Sequence, residues 1–159
     1  MDWRDYAAWV AWVVAVVSAG AGVGLLFGPG EWYATLLKPT WNPPSWLFGP
    51  AWTALYVLLG TGAWLVWREP GPRGTPERRQ AWSAFAVQAA LNLAWTPIFF
   101  GLRSPGWAFA EIILLWASVL WMTLAFGRVR PLAGTLQVPL VAWVSFALVL
   151  NGTIWLMNR

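Results

Sequence analysis

Cysteine and histidine are both absent from the 159 residues. Without cysteine the chain has no disulfide, no thiolate nucleophile and no Cys-built zinc or iron–sulfur centre. Without histidine it lacks the commonest metal ligand and the commonest base at neutral pH. Charge is scarce as well: Asp, Glu, Lys and Arg make up 10% of the chain, against about 25% in soluble domains. So few charges do not cover a surface that faces water. The net charge of +4 is carried by Arg scattered through short connectors. It reads as membrane topology and headgroup contact, with no basic stripe that suggests nucleic acid.

What fills the sequence instead is apolar and aromatic. Hydrophobic residues make up 59% and tryptophan alone accounts for 16 positions, with a mean hydropathy of +0.56. Five stretches are long enough to cross the hydrocarbon core as helices, each about 20 residues: 6–27, 46–67, 81–102, 107–126 and 135–157. A lipid-facing backbone must satisfy its own hydrogen bonds, and barrel-type alternation is not visible, so each stretch is expected to be helical. The fold class is an all-α membrane protein, a five-helix bundle in one domain over 1–159, with the loop 28–45 as a lid. "AGA" at 19–21 offers a signal-peptide cleavage site, but the mixed charges of "MDWRDY" and the length of the stretch favour a retained span.

Arg4, Arg68, Arg73, Arg78, Arg79, Arg128 and Arg130 fall at one end of the spans, and Lys38, Arg103 and Arg159 at the other. The positive-inside rule puts the first group, with the N-terminus, in the cytoplasm, and the C-terminus outward. The halves show no inverted repeat, which argues against a rocking transporter.

Polar residues share helix faces. Gln88, Asn92, Trp95 and Phe99 form one stripe of the third span, Trp52 and Tyr56 one of the second, and Trp143, Ala147 and Asn151 one of the fifth. Amides in hydrocarbon need partners, so these faces are expected inside the bundle. Flat rings with sparse amides suit a ligand pocket, although Gln88 and Asn92 also fit as interhelical glue. Trp9, Trp12, Trp64, Trp67, Trp107 and Trp155 lie near span ends and read as interfacial. Glu111 is expected to snorkel or to pair with Arg103. Ala86, Ala90 and Ala94, like Gly20 and Gly24, form rows of small residues for close helix contact, the Ala row serving a homodimer seam or the bundle itself. Pro97 and Pro139 are expected to bend their spans, and Pro43 and Pro44 to occupy the first turn of the second helix.

"EWYATLLKPTWNPPSWLFGPAWTALY" (31–56), "NLAWTPIFFG" (92–101) and "VPLVAWVSFALVLNGTIWLMN" (138–158) resemble the signature segments of the TspO/MBR family, in order and over nearly the whole chain. The resemblance implies a five-helix bundle, commonly a homodimer, that binds tetrapyrroles such as protoporphyrin IX, with sterols and benzodiazepine-site ligands in the same cavity. It implies a pocket of Trp32, Tyr33, Trp41, Trp52, Asn92, Trp95, Trp143 and Ala147, to which the stripes add Tyr56 and Gln88. The family's sterol pattern needs a Tyr before a basic residue on the last helix. Here Gly152 and Thr153 stand in that region and no Tyr does.

The expected function is a receptor or carrier for porphyrins linked to pigment or stress metabolism. Lys38 and Arg103 are candidate tethers for the carboxylates. With no His or Cys, metal-free porphyrin fits better than haem, and no metal site or covalent cofactor is expected. One alternative, which the resemblance implies for some members, is light- and oxygen-dependent degradation of porphyrin, with Trp52 and Trp143 as candidate electron donors. The other is a structural membrane subunit without a small ligand.

Overall fold

The computed structural model describes residues 2–159. Seven α-helices follow one another: α1 Trp3–Phe27, α2 Glu31–Thr35, α3 Ser45–Arg68, α4 Pro76–Thr96, α5 Pro105–Val129, α6 Pro131–Thr135 and α7 Val138–Met157. A π-helical turn, Pro97–Gly101, extends α4. Five helical segments are long and apolar enough to cross a membrane: α1, α3, α4 with its π turn, α5, and α6 with α7. The protein is therefore an all-α, five-span membrane bundle.

Helix starts follow from local chemistry. Asp2 caps α1 by accepting from Asp5 N at 2.8 Å. Thr75 caps α4, and its Oγ1 accepts from Arg78 N at 3.3 Å. Pro76, Pro105 and Pro131 each stand in a first turn, where no backbone donor is needed. Pro43 and Pro44 precede α3 and do not enter it, since Pro44 is its N-cap. Pro139 likewise lies in the first turn of α7, where it interrupts no hydrogen bond of that helix; the fifth span breaks just before it, between α6 and α7. Pro97 does break its span. Leu102 N donates to Pro97 O at 2.8 Å, the wider spacing of a π turn.

The two ends of the bundle are built differently. At the end that carries the seven arginines, glycines let helices close up. A Cβ on Gly60 would lie 2.8 Å from Val13 Cα, and one on Gly134 would lie 2.7 Å from Gly127 Cα. Leu59, Ala63, Val66, Ala84, Val119, Met122, Phe126 and Leu140 are buried in this half. Trp64 belongs to this core at 6% exposed, contrary to its interfacial reading. Arg68 of the same helix lies 4.6 Å over its ring. Trp67 and Trp107 are exposed, as the belt reading expects, while Trp9 and Trp12 are half-buried. Trp9 Nε1 donates to Thr61 Oγ1 at 3.1 Å, and Trp12 stacks on Trp82. Trp155, also half-buried, stacks on Phe109.

Arg78 is buried at this end and donates to the carbonyls of Glu69, Pro70 and Gly71, which fastens the loop 69–75. Two half-exposed ion pairs, Arg68–Asp5 at 3.2 Å and Arg130–Glu69 at 3.3 Å, join the same helix ends. Toward the other end large rings replace small residues, and the helices stand apart.

Candidate functional site

The half of the bundle opposite the seven arginines encloses a cavity of about 460 Å³ walled by α1, α2, α3, α4 with its π turn, α5 and α7. Its size and apolar wall suit a small-molecule site. Trp52 and Tyr56 stack at 5.3 Å on α3, and Trp143 of α7 meets Trp52 edge-on at 6.4 Å. Trp95 stacks on Phe99 at 5.0 Å. Offset and edge-to-face pairs of this kind hold rings in fixed orientations. Ala147 lies among these rings and leaves space.

Polar groups on the wall are few and mostly spoken for. Tyr56 Oη donates to Asn92 Oδ1 at 2.8 Å. Trp95 Nε1 donates to Asn151 Oδ1 at 3.1 Å, and Asn151 Nδ2 donates to Pro105 O at 2.9 Å. These bonds cross between helices and fix the rings that carry them. Among the described residues no charged side chain lines the cavity.

The segment 28–45 covers this end and contains the short helix α2. Tyr33 is buried and turns its ring edge onto Phe99 and Phe100. Burial pushes its hydroxyl above the ordinary range, partly offset by the bond it donates to Asn42 Oδ1. Lys38 Nζ sits 4.5 Å over the Tyr33 ring and donates to Leu36 O. Asn158, just past α7, clamps the lid backbone: its Oδ1 accepts from Leu37 N and its Nδ2 donates to Leu37 O, both at 2.9 Å. That clamp was invisible in the sequence, because nothing in a lone Asn at a helix end marks its distant partner.

Of the expected pocket residues, Tyr33, Trp52, Tyr56, Asn92, Trp95, Trp143 and Ala147 share the cavity wall. Trp32 does not: it packs edge-on against Phe99 from the lid. Trp41 is 46% exposed and touches Phe146. Gln88 lies one turn deeper on α4, beside a second and smaller hollow. The sequence stripes missed Phe48, Phe100 and Gly20. Gly20 has no side chain because the Tyr56 ring lies where its Cβ would be, while a Cβ on Gly24 would meet open space. These two glycines therefore shape the cavity and do not form a tight helix seam.

Arg103 is exposed with φ 53° and lies outside the wall. Glu111 neither snorkels nor pairs with it. The residue is 8% exposed, and neither carboxyl oxygen has a hydrogen-bond partner among the described residues, because α5 turns this position inward. Ala86 and Ala90 face outward from α4 and do not pack within the bundle; Ala94 is half-buried.

Known proteins share this pattern of sequence. The chain is 43% identical over 146 residues to the translocator protein of Homo sapiens, covering 89% of this chain and 85% of that one. It is 43% identical over 135 residues to the tryptophan-rich protein TspO of Chlorobaculum tepidum, covering 82% of each. It is 38% identical over 151 residues to the tryptophan-rich sensory protein of Cereibacter sphaeroides, covering 95% of this chain and 89% of that one. Residues 6–156 match the TspO/MBR family, and with a five-span bundle beneath them the chain belongs to that family.

Proposed function

We propose that the protein is a membrane receptor or carrier for porphyrin-type tetrapyrroles, with protoporphyrin IX as the reference ligand. The observation that carries this reading is the shared cavity: rings from α2, α3, α4 and α7 face one hollow whose wall bears no charge. A flat apolar macrocycle gains burial and stacking there. Its carboxylates find no partner on the wall and would stay at the lid, where Lys38 lies over Tyr33. Arg103, exposed at the same end, is the second candidate tether. A sensing role accords with the printed name of the Cereibacter sphaeroides relative. A second copy would pack on the outward Ala86 and Ala90, with the half-buried Ala94 at the edge of the contact.

Titrating purified protein with protoporphyrin IX tests the reading through quenching of tryptophan fluorescence. Trp143→Ala should weaken affinity at least about tenfold, since removing a buried ring from a binding site costs about 2 kcal/mol or more. Equal affinity of variant and parent would remove the cavity from the binding site. Photochemical breakdown of the bound porphyrin is a second reading, supported by the contact of Trp52 with Trp143 on the wall. Bleaching in light and air no faster than in a protein-free detergent control would exclude it.

A further inference from the structure

The main cavity is not sealed on every side. Its wall residues from α2, α4, the π turn, α5 and α7 are buried or half-buried, and none is exposed. Exposure is confined to two segments: Ala21, Gly24 and Leu25 of α1, with Pro29 just beyond, and Ser45, Gly49 and Thr53 of α3. A Cβ on Gly24 or on Gly49 would meet open space, so these small residues border a gap and do not close it. The gap has definite ends. Toward the arginines the Tyr56 ring lies against Gly20, and further on Gly60 meets Val13. On the other flank of α1, a Cβ on Gly101 of the π turn would come within 3.0 Å of the Phe27 ring, which shuts that side. From Ser45 to Thr53 helix α3 rises about 12 Å, less than half of a hydrocarbon core of about 30 Å. Trp46, 71% exposed at the start of α3, marks headgroup depth. Helix α1 has no buried residue and is the wall held most lightly.

We propose that the cavity is loaded sideways from the bilayer, through this slot between α1 and α3, with α1 as the wall that yields. The inference rests on the receptor or carrier reading and adds the class of molecule taken: one dissolved in the lid-side leaflet, not one captured from water. The lid covers the water side and is clamped to the end of α7 by Asn158. Among the described residues no charged side chain borders the slot, so an apolar macrocycle leaves lipid for the cavity without giving up a polar partner. Its carboxylates remain at headgroup depth throughout the passage. Loosening the clamp adds a second exit, toward water.

Thiol labelling in phosphatidylcholine nanodiscs, which leave both water faces reachable, tests lipid access without a ligand. The chain has no native cysteine, and Ala147→Cys puts one thiol on the α7 wall of the cavity. A maleimide on a dodecyl chain should label it at least about tenfold faster than a small maleimide with a fixed trimethylammonium charge, because a charge does not pass an apolar slot. Ser118→Cys, buried in α5 but off the wall, should react with neither. Equal rates at Ala147→Cys would place the opening in water, and no labelling by either reagent would deny an opening. Labelling of Ser118→Cys as fast as Ala147→Cys would mean general penetration; each of these results overturns the proposal. Passage is tested by joining Leu25→Cys to Gly49→Cys with a bismaleimide across the slot. Bridging the empty protein should slow protoporphyrin uptake at least about tenfold, and bridging the loaded protein should slow release as much. Unchanged rates in both orders, or porphyrin lost when the loaded protein is bridged, would overturn the slot as the route. Should the parent bind no porphyrin, the ligand reading fails while the labelling contrast still decides the slot.

Discussion

Replacing Asn151 with Leu keeps a similar volume at a position 2% exposed and removes the hydrogen bonds of the side chain. Two are lost: the one accepted from Trp95 Nε1 at 3.1 Å and the one donated to Pro105 O at 2.9 Å. A buried donor left without an acceptor costs about 1–3 kcal/mol, whereas a side-chain bond between membrane helices averages about 0.6 and reaches about 1.7 kcal/mol. Both bonds together therefore come to about 1–3 kcal/mol. At about 2–4 °C per kcal/mol for a chain of this size, the melting temperature in a fixed detergent should fall by about 2–12 °C. Trp95→Phe removes the indole donor and keeps a ring on Phe99, so Asn151→Leu should cost less in that background, by about 0.5–1.5 kcal/mol. Far-UV circular dichroism on the four proteins of the cycle measures this. Strict additivity would refute the argument, because Asn151 would then be acting through its volume alone.

Gly60→Val puts a branched side chain 2.8 Å from the Val13 backbone. Backbone cannot yield as a side-chain tip does, so the variant should lose about 1–3 kcal/mol; an unchanged melting temperature would deny the close approach of α1 and α3. Asn158→Leu frees Leu37 from its clamp and should speed dissociation of protoporphyrin several-fold in stopped-flow, while association changes less; an unaltered off-rate would show that the clamp does not hold the lid. The chain has no native cysteine, so single cysteines report topology cleanly. In right-side-out vesicles an impermeant maleimide should label Gly30→Cys and spare Gly74→Cys, and the opposite pattern would invert the orientation drawn from the arginines.

The spans were legible because about 20 apolar residues in a row have one structural solution. Their ends were less so. Helix α4 begins five residues before the apolar run, because the polar turn "PERRQ" is helical through its Thr75 cap and Pro76, signals that hydropathy ignores. The stripe through Asn92, Trp95 and Phe99 was readable from the helical period, yet Gln88 fell outside the cavity, because the hollow stops where small residues let the helices close. That boundary depends on Gly60 meeting α1 and Gly134 meeting α5, contacts that spacing within one helix does not encode. Trp64 and Glu111 were misjudged because the facing of α3 and α5 is set by packing against their neighbours. Trp32 and Trp41 lie on the lid, where no period fixes the direction of a side chain.

The uncharged wall of the cavity sets a rule of traffic. Moving an ionised carboxylate along it would strip the group of water with nothing to replace it. A tetrapyrrole bound as proposed would therefore enter neutral edge first and withdraw the way it came, like a key that turns in a lock but never passes through the door. It would be exchanged at a single face of the membrane, and the closely packed half of the bundle at the arginine end would be the stop against which it rests.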